Sequence, residues 1–187
     1  MPENIREIPY NYTSYSDREI VKRFLGEEIW DDLNVLREQR RTGSSARMLF
    51  DILGDVWVIE RNVFLKNDLL DNGKRLKKMS KRHQARLQRI MDGAQGNQRA
   101  TKVAACTERM LEDFYAWFAQ EPKKRRQAKR ALAKHTHRNN IHFDAFTLTH
   151  HATDATDWRS HHPFCVITPD HPDELPGLIR TVQALNL

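Results

Sequence analysis

FCVITPDHPDELPGLIRTVQAL, residues 164–185, reads as one strand, one turn and one helix. Phe164, Cys165, Val166 and Ile167 form a continuous apolar, partly β-branched run, the pattern of a strand buried on both faces. Pro169 ends it. Leu175, Leu178, Ile179, Val182 and Leu185 then recur at helical spacing. With Asp173 as the cap, Pro176 falls in the first turn, where its missing N–H displaces no intrahelical bond. A strand feeding a helix is the first half of a βαβ unit. No partner strand is apparent downstream, because the sequence stops at Leu187. The chain is therefore expected to be the front end of a larger fold whose chemistry lies elsewhere. Residues 141–187 are expected to be marginal by themselves, and residues 16–135 to form the stable part.

Working back toward the N-terminus, the pattern is helical. Ser16 followed three residues later by Glu19 is a capping box. Gly26 weakens or breaks that helix. Glu27 and Glu28 suit the start of a second, and Arg37, Arg40 and Arg41 its C-terminal end, as the helix dipole favours. Gly43 is expected as its stop. Ser44 or Ser45 then caps a short helix that Gly54 ends. Val56-Trp57-Val58-Ile59 is a β-type run, and Asp71-Asn72-Gly73 a turn. Two long helices are predicted over 74–91, with Leu76, Met79, Leu87 and Ile90 in line, and over 98–120. The second carries Val103, Cys106, Met110, Phe114, Trp117 and Phe118, expected as the centre of the core. Pro122 opens a further helix. Ile141-His142-Phe143 and Phe146-Thr147-Leu148 read as extended. Residues 4–15 are aromatic and turn-like, and residues 152–158 polar and without period.

The 187 residues allow one domain with a core and a partial second one. With 39% hydrophobic and 30% charged residues the composition is that of a globular protein, and no window approaches the ~18 apolar residues of a membrane span. The N-terminus lacks the basic and apolar regions of a secretory signal. Two distant cysteines, Cys106 and Cys165, suit buried roles in a reducing compartment, so a cytoplasmic location is expected.

The net charge of +6 raises the question of nucleic acid. Lys123, Lys124, Arg125, Arg126, Lys129 and Arg130 form a run without an acidic residue, continued by Lys134 and Arg138, and residues 74–89 are almost as dense. Such faces neutralise phosphates in a salt-dependent way; they equally suit a solvated helix face or one docked on an acidic surface. No zinc-finger spacing or RNA-recognition motif accompanies them. Seven of nine histidines fall between His135 and His162, including the pairs His150-His151 and His161-His162. Adjacent histidines on an extended segment point to opposite faces, which disfavours a metal site. Cys165 in an apolar strand and Cys106 on a core face are poor nucleophiles. No G-x-S-x-G, G-x-G-x-x-G or P-loop motif occurs, and the seven glycines are not clustered. No catalytic, cofactor-binding or metal-ligating residue is therefore assigned.

Two blocks resemble a known family. Residues 4–72, with Tyr10-Asn11-Tyr12-Thr13 and Arg41-Thr42-Gly43, resemble the helical domain that opens long bacterial FAD/FMN-binding oxidoreductases. Residues 151–187, with Asp154-Ala155-Thr156-Asp157-Trp158, look like the entry into their PCMH-type (vanillyl-alcohol-oxidase-like) FAD-binding domain. The resemblance implies a FAD-linked dehydrogenase or oxidase of small hydroxy acids of the D-lactate, glycolate or 2-hydroxyglutarate kind. It also implies flavin as hydride acceptor and iron–sulfur clusters elsewhere in many members. The glycine-rich loop that grips the FAD pyrophosphate would follow one strand after Leu185, so FAD is not expected to be held by this chain alone.

The fold expected is a mainly α N-terminal domain followed by a truncated α+β FAD-binding start. Residues 1–121 would be the helical accessory domain, 122–140 a basic linker helix and 141–187 the truncated flavin domain. The partner expected is the remainder of the oxidoreductase. The rival reading is a basic helical module that binds nucleic acid or another polyanion, or a protein-interaction domain.

Overall fold

The computed structural model describes residues 16–39, 42–152 and 162–187. The motifs at 10–13 and 154–158, the turn-like segment 4–15, Arg40, Arg41 and His161 lie outside them. Contacts divide the chain into two compact units, residues 11–118 and residues 1–10 with 119–187.

The described residues of the first unit are all helical or in short connections. They form α1 (Asp17–Leu25), α2 (Glu27–Glu38), α3 (Gly43–Arg61), α4 (Val63–Asp71), α5 (Gly73–Gly93) and the first two-thirds of α6 (Gln98–Leu132). The capping box is present: Ser16 Oγ accepts from the Glu19 amide, and the Glu19 carboxylate accepts from the Ser16 amide at 2.8 Å. Gly26 separates α1 from α2 with a φ of +95°, a conformation that favours glycine.

Sequence expectations fail at three points between residues 43 and 61. Gly43 opens α3 rather than stopping α2, with Thr42 at the cap position and its hydroxyl donating to the Leu36 carbonyl at 2.7 Å. The helix then runs through Gly54 and through Val56–Ile59, the segment read as β-type. Ala46, Leu49, Ile52, Leu53, Val56 and Trp57 make one buried stripe along it, so the core interface outweighs the modest β preference of the branched residues. α3 packs against α1, α2, α4 and α5. The core also takes in Val103, Ala104, Leu111, Phe114 and Phe118 from α6. Cys106, Met110 and Trp117, expected at the centre, are half-buried at its margin.

The second unit holds the end of α6, β1 (Ile141–His142), α7 (Ala145–His150), β2 (Val166–Ile167) and α8 (Leu175–Leu185). Residues 122–132 belong to α6 and not to a helix of their own; Pro122 lies inside it. Lacking an N–H, Pro122 cannot serve the Phe118 carbonyl, and the two units divide next to that residue. Phe146-Thr147-Leu148, read as extended, lies inside α7, because Asp144 caps the amide of Thr147 at 2.9 Å. The expected strand over 164–168 is reduced to Val166–Ile167, and only Val166 of it is buried. Its partner lies upstream and antiparallel, with Ile141 opposite Ile167 and His142 opposite Val166. Pro176 does fall in the first turn of α8. The turn before it is capped by His171, whose Nδ1 accepts from the Asp173 amide, and not by Asp173. Ala128, Leu132, Ile141 and Leu178 are the buried centre of this unit. Gly177 lies so close to the His135 ring that a Cβ there would meet Nδ1 at 2.4 Å. The mainly α reading holds, with eight α-helices and one two-stranded sheet among the described residues.

Candidate functional site

α5 presents cations to solvent along most of its length and turns Leu87, Ile90 and His83 inward. His83 is wholly buried. Its Nε2 lies 3.1 Å from Asp55 Oδ2 on α3, and its Nδ1 lies 2.8 Å from the Tyr115 hydroxyl on α6. A carboxylate only accepts, so Nε2 carries the proton and donates to Asp55. Nδ1 then accepts from the Tyr115 O–H. Burial holds the imidazole below its usual value against the opposing pull of Asp55, and burial likewise pushes the Tyr115 phenol upward. Arg82 donates to the same Asp55 oxygen at 2.7 Å, and Arg86 stands 3.6 Å from it. Both imidazole nitrogens are engaged. The group therefore works as a polar clip joining three helices and has no free lone pair with which to act as a base.

Asp55 also lines an open cleft of about 660 Å³ between α3, α4 and α5. Arg75, Lys78 and Arg82 line it from one face of α5, at positions i, i+3 and i+7. Val58, Ile59, Leu65, Leu69 and Met79 supply its apolar wall. Sequence reasoning marked the cations of this region and missed the Asp55–His83–Tyr115 group. The signal was there: His83 fills the gap in the Leu76, Met79, Leu87, Ile90 line, where a core residue belongs.

The basic run on α6 divides in two. Arg125 folds back. Its Nε donates to Glu121 at 2.8 Å, its Nη1 donates to the Phe143 carbonyl at 3.3 Å, and its guanidinium lies over the Phe143 ring. Lys129 is half-buried. Lys123, Lys124, Arg126 and Arg130 are exposed and pair with no carboxylate among the described residues. Lys123, Arg126, Gln127, Arg130, Ala131 and Lys134 line one shallow groove of about 400 Å³.

The remaining candidates do not converge. His142 Nε2 contacts the Thr168 hydroxyl at 3.2 Å, and His150 stacks on Phe146. Among the described residues no three His, Cys, Asp or Glu side chains form a metal-holding group. Cys106 is half-buried with Arg109 Nη2 3.3 Å from its sulfur, and burial raises the Cys165 thiol; both are free. Gly177, the one glycine after residue 96, is packed against the His135 ring.

Among the described residues no helix is long and apolar enough to cross a membrane. Neither the curated proteins nor the solved structures include a match to the chain. Residues 3–116, which take in all the described part of the first unit except its last two residues, match the family model described as a protein of unknown function, and the chain accordingly belongs to the DUF3683 family.

Proposed function

We propose that this chain is the amino-terminal accessory region of a FAD-linked, PCMH-type oxidoreductase acting on a small hydroxy acid in the cytoplasm. The DUF3683 unit would serve as a packing or assembly module, and the residues after it would lead into the flavin domain. The observation that carries the reading is the succession of β2, a tight turn and α8. It is joined to an apolar helix face left uncovered: Leu175 and Ile179 remain 45% and 55% exposed. Among the described residues β2 pairs with β1 alone, and a further strand would extend the sheet. The chain's own part would be structural. The test is the product of the whole reading frame that contains this sequence. It should carry visible flavin absorbance that bleaches with D-lactate, glycolate or 2-hydroxyglutarate. A colourless full-length product, or flavin indifferent to every hydroxy acid, overturns the reading.

A second reading is favoured by the unpaired cations of α6. Lys123, Lys124, Arg126 and Arg130 would bind a polyanion, with Arg125 excluded because it is engaged inward. Retention on heparin that falls steeply with salt, and is lost in the fourfold Gln variant, would support it. Retention unchanged by that variant removes it.

A further inference from the structure

We propose that the cleft between α3, α4 and α5 binds a singly charged amphipathic acid, an acyl carboxylate. Its acid group would lie on Lys78 and the guanidinium groups of Arg75 and Arg82, and its chain on the apolar wall. Charge supports the acid. Arg75 is compensated by Asp68 and Arg82 by Asp55. Lys78 pairs with no carboxylate among the described residues, so one positive charge at the cleft is left over. One surplus cation matches a monoanion better than a phosphate carrying nearly two charges. Geometry supports it too. Each arginine spends one N–H group on its aspartate and keeps others for a ligand oxygen. The three cations occupy successive turns of one face, so their side chains converge on one mouth.

The wall supports the chain. Val58 is a large apolar residue that the protein leaves 37% exposed, and it stands with Ile59, Leu65, Leu69 and Met79 at the same opening. A cleft of about 660 Å³ lies within the range of small-molecule sites. The buried clip holds the polar side rigid. Asp55 is fixed by His83, and His83 by Tyr115, so the Arg82 side chain is anchored before any ligand arrives.

The probe is octanoate, titrated into the full chain and followed by amide chemical shifts, with octanol as the uncharged control. Saturable binding is expected with a Kd below about 1 mM. Shifts should concentrate between residues 55 and 82, octanol should bind at least about tenfold more weakly, and Lys78→Gln should weaken octanoate about tenfold. Lys78 is exposed, so that variant should fold; Val58→Glu, also on the surface, should abolish binding. Octanol binding as tightly as octanoate, an unaffected Lys78→Gln variant, shifts centred elsewhere, or no saturable binding each overturns the proposal.

Discussion

The two units differ most in what they bury. The first has twenty buried apolar side chains in one cluster drawn from six helices, while the second has four. Each large apolar side chain removed from water contributes ~1.5–3 kcal/mol, and ordering each residue costs ~1–2 kcal/mol in backbone entropy. The first cluster can carry a domain. The second, with β strands of two residues each, has little margin and leaves Phe146, Leu175 and Ile179 facing water.

The largest effects test that contrast directly. Amides of Ile52 and Leu53 should exchange with deuterium orders of magnitude more slowly than those of Val166 and Ile167. Leu132→Ala truncates one of the four residues of the second unit's buried cluster and should abolish the protection of that unit while the first keeps its own. Ile52→Ala should cost about 2–5 kcal/mol in the unfolding of the first unit. Equal protection of the two units would break the comparison.

A smaller effect sharpens it by asking what the first unit owes to its polar clip. Tyr115→Phe leaves His83 Nδ1 buried without a donor and should cost about 1–3 kcal/mol, read from denaturant midpoints. The pH dependence has a definite sign. The buried imidazole is held below its usual value of 6.5, so the unfolded chain takes up the proton first as pH falls. The contribution is complete above 6.5 and declines as pH drops below it toward the folded-state value. His83→Gln should flatten that slope, and an unchanged slope would show that another group is responsible.

The smallest effect concerns the edge of the first unit. Ser16→Ala deletes one half of the capping box and should cost about 1 kcal/mol, with faster exchange confined to the start of α1. Global destabilisation beyond that would mean that α1 is more central than its single fully buried residue, Val21, implies.

The expectations that held rest on chemistry between near neighbours. Ser16 and Glu19, Gly26 with its positive φ, α5, and Pro176 in a first turn each involve partners within a few residues. The errors share a different cause. Gly54 and Pro122 carry local penalties of about 1 and 3 kcal/mol within a helix. The sequence marks those costs, but it does not display the interfaces along α3 and α6 that offset them. The partner of β2 was sought beyond residue 168 and lies at 141–142, a pairing that no periodicity records.

The candidate sites divide in the same way. The cations of α5 and α6 were legible, but which of them are free was not. Arg125 is withdrawn by Glu121 and Phe143, whereas Lys78 pairs with no carboxylate among the described residues. By itself the sequence determined the mainly helical character, the Ser16–Glu19 capping box, the break at Gly26, helix α5 and the charge of α5 and α6, because those follow from spacing and composition. Tertiary structure alone decided the length of α3 and α6, the antiparallel strand pair, the Asp55–His83–Tyr115 clip and the cleft beside it. Each of these joins residues far apart in the chain, and the energy of such a contact exists only once packing has brought them together.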